Sequence, residues 1–245
     1  MRIVKGLAIL LLFMAMNVAY AVPMLQLGIG GGTYDPVTET IVTTSPSFTL
    51  YAYGKKGADG DTVFNKVVDL SEQFFISIAL TPQTGPTAPS SIGSFDVNGN
   101  TYDIDDMIYG VPPIEGGDAT MDGHDLQKHG IFETFFLEIP FLFVSNQTTA
   151  SVNTQDTPGS TPDSSSGDDL YFVGFDVDAS NLFDGFFLHF DLYNVRVKGG
   201  KFGEDYDIND FAPFSHDAAY VPEPTTLALM SLGLAGLGFS RKRRN

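Results

Sequence analysis

Few residues in this sequence are spaced for chemistry. Gly28-Ile29-Gly30-Gly31-Gly32 is glycine-rich enough to invite comparison with a phosphate-binding loop. A dinucleotide fingerprint needs glycine at the sixth place and a helix after it. Here the sixth place is Thr33 and Tyr34-Asp35-Pro36 reads as a turn, so the run is structural. The histidines are His124, His129, His189 and His216. His124 and His129 stand five apart in a Gly- and Asp-rich loop, not at the i, i+4 spacing that puts two imidazoles on one helix face for zinc. No Gly-x-Ser-x-Gly elbow presents a nucleophile. With no cysteine in the chain, thiol catalysis, disulfides and Cys-ligated zinc are excluded. Glycoside hydrolysis needs two carboxylates at a defined separation, but with 30 acids in the chain some pair must lie close, which carries no signal. No catalytic residue is assigned, and the chain reads as non-enzymatic.

Calcium is the chemistry that the residue types supply best. Asp118, Asp122 and Asp125 cluster around Gly116-Gly117 and Gly123; Asp96, Asn98 and Asn100 offer alternate oxygens, as do Asp176, Asp178, Asn181 and Asp184. Calcium takes six to eight oxygen ligands, and such loops provide several. None follows the twelve-residue EF-hand pattern with its glycine at the sixth place and acid at the twelfth. The competing reading is a set of solvated turn residues. Asp118, Asp122 and Asp125 therefore stand as calcium candidates, no metal is firmly assigned, and no other cofactor is expected.

The elements that must position these residues have a period of two. Phe74, Ile76, Ile78 and Leu80 alternate with smaller residues, Phe75 being the bulky exception. Leu188, Phe190 and Leu192 alternate with His189, Asp191 and Tyr193, and Tyr171, Val173, Phe175 and Val177 with Phe172, Gly174 and Asp176. Each pattern gives a strand one apolar face in an antiparallel sheet. Phe48–Tyr53 is a further, aromatic strand. Asn98-Gly99 supplies the positive φ angles of a type I′ turn and predicts a tight hairpin. Pro140, inside the apolar run Phe132–Val144, belongs at an edge, a bulge or a strand end. No helix of more than a turn or two is expected between the termini. Thr81–Ser94 and Ala150–Asp168 are loops by composition. The strands after the second loop look like a continuation of one sheet system, and the first half holds few strands of its own. One domain with a long, mobile, exposed loop is therefore expected. The fold class is all-β: an antiparallel β-sandwich, jelly-roll-like, with long loops and a Phe-rich core built from most of the 21 phenylalanines.

The termini differ from this body. Arg2 and Lys5 precede an apolar run, Gly6–Met16, and Ala19-Tyr20-Ala21 is an A-x-A cleavage site, so residues 1–21 read as a signal peptide and Val22 begins the mature chain. At the other end Val221-Pro222-Glu223-Pro224 is rigid and extended. The apolar run Thr225–Phe239 follows, and Arg241-Lys242-Arg243-Arg244 closes the chain. Fifteen helical residues span about 22 Å, short of the ~30 Å hydrocarbon core, with snorkelling basic side chains making up part of the difference. The cations hold that end on the cytoplasmic side of the inner membrane while the body is exported. Residues 22–220 form the body. Between the termini seven cations face 29 acids, a net charge of −22. That charge excludes nucleic acid as a partner, and divalent cations are one way to offset it.

The ensemble of Val221-Pro222-Glu223-Pro224, short apolar helix and basic end over residues 221–245 resembles the PEP-CTERM protein-sorting signal. The resemblance implies a cell envelope with an outer membrane, an exopolysaccharide or biofilm setting, and processing near Pro222-Glu223-Pro224 by an exosortase as partner. Leu25-Gln26-Leu27, Gly31–Tyr34, His129–Thr134 and Pro213–Ala218 resemble landmarks of the choice-of-anchor N proteins, with Glu133 where that pattern has proline. That family brings no assigned activity. The expectation is an exported, exosortase-processed protein of the outer envelope, cell surface or extracellular matrix. Its role is structural or adhesive and its further partner an extracellular polysaccharide. Tyrosines such as Tyr51, Tyr53 and Tyr193, if exposed, could stack on sugars, the commoner alternative being that they merely pack at a sheet margin. A calcium-dependent carbohydrate-binding module is the alternative, and a secreted glycan hydrolase or lyase the third reading.

Overall fold

The computed structural model describes residues 23–57, 67–115, 118–120, 126, 130–200, 203–213 and 216–222; for 115, 118–120, 196–200 and 203–211 the backbone alone is described. In chain order the strands are β1 (Leu25–Ile29), β2 (Thr33–Asp35), β3 (Thr40–Thr43), β4 (Ser47–Lys55), β5 (Phe74–Thr81), β6 (Phe95–Val97), β7 (Asn100–Tyr102) and β8 (Ile108–Glu115). They continue with β9 (Asp118–Thr120), β10 (Thr134–Phe141), β11 (Thr148–Thr149), β12 (Leu170–Asp178), β13 (Phe187–Gly200), β14 (Gly203–Phe211) and β15 (Asp217–Tyr220). Helix among the described residues is of the 3-10 kind only: the turn Ile104–Asp106, boxed at its start by Asp103 and Asp106, and His216 just before β15.

The strands form two sheets. In sheet A the order is β1-β4-β12-β6-β7, with β11 also on β12; in sheet B it is β2-β3-β15-β13-β5-β10-β8-β9, with β14 also on β13. Strands from before and after the 150–168 loop interleave in both: β12 lies between β4 and β6, and β13 between β15 and β5. The expectation of a strand-poor first half is corrected, since nine strands precede residue 121. Several are only three to five residues long, too short to show a period of two. The sheets are antiparallel except where β15 runs parallel to β3.

The alternation read from the sequence builds the core between the sheets. Leu25, Leu27, Ile29, Leu50, Phe95, Phe175 and Val177 of sheet A and Phe74, Ile76, Ile78, Leu80, Leu188, Phe190 and Leu192 of sheet B are buried in one cluster. Burying each large side chain is worth about 1.5–3 kcal/mol, and the aromatic ones interlock: Phe74 meets Phe143 edge-on at 4.9 Å and Phe141 meets Phe175 at 5.3 Å. Asn98 and Gly99 take φ of 51° and 78° in the tight turn between β6 and β7. Pro140 is the next-to-last residue of β10, beyond the stretch where that strand pairs with β8.

The outer faces depart from expectation. The 150–168 loop is not simply exposed. It lies over β1, where the Gln26 side chain, fully buried, donates from Nε2 to Val152 O at 2.7 Å and accepts from Thr154 N–H at 3.0 Å. Polar composition conceals this packing because the loop meets its hydrogen-bonding needs from the sheet it covers. The glycine run exists for the same approach: a Cβ on Gly28 would stand 3.0 Å from Thr154 Cγ2, and one on Gly30 3.3 Å from Thr161 Cγ2. Tyr53 and Tyr193 are buried, not sugar platforms, and desolvation pushes both phenols above their ordinary pKa. On sheet B a second apolar cluster, Ala79, Val111, Leu126, Phe132, Phe136 and Tyr193, covers part of the outer face.

β15 passes directly into the tail. Val221 N–H donates to Thr43 O at 2.9 Å. Among the described residues no helix is long and apolar enough to cross a membrane; the expected transmembrane helix Thr225–Phe239 lies outside them.

Candidate functional site

The outer face of sheet B gathers a set of buried polar side chains. In β13 His189, Asp191 and Tyr193 point away from the core that Leu188, Phe190 and Leu192 fill. His189 pairs with Ala219 of β15 on one side and Ala79 of β5 on the other, and Asp191 pairs with Ser77. Continuing the β13–β15 register one residue past Phe190 and Ala218 sets Asp191 abreast of Asp217. The pleat then puts His189, Asp191, Asp217 and Ser77 on one face.

Their spacing is close. His189 Nε2 stands 3.4 Å from Asp191 Oδ1 and 3.8 Å from Asp217 Oδ2, with side chains 5%, 3% and 2% exposed. One ligand atom from each residue falls within 4.8 Å of the other two. Each residue has at least one further interaction. Burial first, and then the neighbouring Asp191, push the Asp217 carboxyl well above the ordinary carboxylate range. Tyr193 links this group to a third carboxylate: its hydroxyl donates to Glu138 Oε1, while Ile114 N–H donates to Glu138 Oε2 at 3.1 Å. Desolvation raises the Glu138 pKa against the pull of those two donors.

A cavity of about 450 Å³ opens beside the cluster. Its lining includes Asp35 of β2, Thr40 of β3, Thr81 of β5, Ala219 of β15 and His189 itself, with Val221 at the start of the tail. His189 is thus both a wall of the cavity and a member of the cluster.

The residues expected from sequence to carry function fall elsewhere. Asp118 lies in β9, with backbone alone described, while Asp122, Asp125, His124 and His129 are outside the described residues. So are the cleavage residues Ala19, Ala21 and Val22, the motif residues Glu223 and Pro224, and the basic end Arg241, Lys242, Arg243 and Arg244. Two of the other oxygen sets do meet: Asp178 pairs with Asp96, and with Asp176 they line an open groove of about 460 Å³. Those groups already serve the local structure. Asn98 Oδ1 accepts from Asp176 N–H at 2.9 Å, Asp176 Oδ1 from Thr49 Oγ1, and Asp178 Oδ1 from Ser180 N–H. His216 contacts Asn153 Oδ1 through Nε2 at 3.1 Å, joining the covering loop to the entrance of β15. The His189–Asp191–Asp217 cluster is the one sequence reading missed. Its signal was the polar half of the β13 alternation, which looks solvent-facing until a second covering layer is known.

The comparison with protein families decides the nature of the carboxyl end. Residues 221–244 match the PEP-CTERM protein-sorting motif. The chain carries a PEP-CTERM signal. Such a motif implies export to the cell envelope or surface with an exosortase as processing enzyme. No curated protein and no solved structure matches the chain, and no homologue supports the choice-of-anchor N resemblance of the body.

Proposed function

We propose that this protein is a non-catalytic component of the outer envelope or extracellular matrix, structural or adhesive in role and associated with exopolysaccharide. The PEP-CTERM signal at residues 221–244 carries this reading. Its first residue, Val221, follows β15 without a spacer. On this reading the leader 1–21 is removed after Ala21. The run Thr225–Phe239 halts in the inner membrane with its basic end cytoplasmic, and exosortase then cuts near Pro222-Glu223-Pro224. The charge of −22 between the termini supports a role at a hydrated, cation-rich surface, because such a body is kept soluble and apart from other anions.

Deletion of residues 221–245 tests the sorting step. Wild type is expected in the outer envelope or matrix fraction as a shortened species, and the truncated protein in the periplasm or medium without further processing. Identical fractionation and identical mass at the carboxyl end would remove the basis of this assignment.

A further inference from the structure

Three ligand side chains, one imidazole and two carboxylates, meet on the outer face of sheet B at separations wider than a short charge-assisted hydrogen bond. A charge-assisted N–H···O bond brings nitrogen and oxygen to about 2.7–2.9 Å. Here His189 Nε2 is 3.4 Å from one carboxylate oxygen and 3.8 Å from another. Ligand atoms bound about 2.0–2.2 Å from a tetrahedral ion stand about 3.3–3.6 Å apart. The spacing is therefore close to that of a shared coordination shell. We propose that His189 Nε2, Asp191 and Asp217 form a binding site for one divalent transition-metal ion of the zinc or manganese class.

Three further observations point the same way. One imidazole with two carboxylates is a donor set for such ions and not for calcium, which takes six to eight oxygens. Ser77, fully buried and opposite Asp191 on the same face, has an Oγ that makes no hydrogen bond of normal geometry, with only a weak polar approach to the Tyr193 hydroxyl. It is placed to serve the outer shell of the ion. Finally, His189 also lines the 450 Å³ cavity, where Asp35 contributes a carboxylate. The cavity gives the ion a way in and leaves room for a water ligand. An ion here ties β13 to β15, the strand that leads into Val221, and offsets two buried carboxylates. The proposal stands apart from the sorting reading, since it concerns the body alone.

The test uses the full chain in detergent, stripped with EDTA, with Zn²⁺, Mn²⁺, Co²⁺ and Ca²⁺ titrated separately by calorimetry and visible absorption recorded for Co²⁺. One Zn²⁺ or Mn²⁺ is expected per chain, with Ca²⁺ bound at least about a hundredfold more weakly, and a Co²⁺ absorption band arising from imidazole and carboxylate ligation. His189→Gln and Asp217→Asn should each weaken binding at least about tenfold and abolish that band. Circular dichroism in chelator checks that each variant is folded, and Asp176→Asn in the open groove should bind as wild type. Absence of a saturable transition-metal site would overturn the proposal. Undiminished binding by a folded His189→Gln variant, or calcium held as tightly as zinc, would do the same.

Discussion

Asp217 shows how burial sets the behaviour of a single group. Its carboxyl lies against Asp191 in a site 2% exposed, so the charged form is disfavoured and its pKa rises far above the ordinary 3.8. Glu138, linked to the same face through Tyr193, is also raised above its ordinary 4.5. A carboxylate whose folded pKa exceeds its unfolded one binds more protons in the folded state. Its contribution to stability is full below the unfolded value and declines as pH rises through the folded value. In chelator, urea denaturation of the wild type should therefore give a lower unfolding free energy at about pH 8 than at about pH 5. Asp217→Asn, which mimics the protonated carboxyl, should lose part of that slope. An unchanged slope in the variant would show that other groups govern the pH dependence. At this scale the sequence was a poor guide. His189, Asp191 and Tyr193 are visible as a polar alternation, but nothing local tells a solvated stripe from a buried one, and Asp217 reaches them only through strand pairing.

The elements are where local sequence spoke most clearly. Asn98-Gly99 forms its tight turn because both positions need positive φ, and β5, β12 and β13 follow their alternating residues. Two glycine substitutions separate the physical causes. Gly99 has φ of +78° with nothing within 4 Å of a built Cβ, so Gly99→Ala pays only for backbone strain, about 1–2 kcal/mol, and Gly99→Asn should recover much of it. Gly54 of β4 is blocked by packing. A Cβ there would run into Val68 Cγ2 and stand 3.0 Å from the Phe143 ring, so Gly54→Ala should cost about 1–3 kcal/mol, with no rescue by Asn. Chemical denaturation of these variants and of Gly54→Asn checks both statements, and equal losses for Gly99→Ala and Gly99→Asn would refute the backbone argument. The 150–168 loop shows the limit of this scale. Its Ser, Thr, Asp and Pro content predicts exposure, yet the buried Gln26 on β1, 126 residues from Val152, holds it against the sheet.

For the whole molecule, charge is the dominant global term. Seven cations against 29 acids between the termini leave most carboxylates without a basic partner, and self-repulsion destabilises the compact state. Stability should rise as ionic strength goes from about 0.01 M to about 0.3 M, where the screening length falls from about 30 Å to under 8 Å. Melting temperatures that ignore salt over that range would count against repulsion as a controlling term. The two-sheet fold itself was legible because period-two patterning, turn residues and the lack of helical periodicity are local properties repeated along the chain. The sorting signal was legible because its recognition depends on the order of a short motif, an apolar run and a basic end, all contiguous in sequence. The tertiary structure alone decided which polar residues share a face, what covers each sheet, and that β15 joins β3 in parallel while carrying Asp217 to Asp191 and His189. Those outcomes depend on register between distant strands. A shift of one residue would send each of these side chains to the opposite face, and no local pattern in the chain encodes that choice.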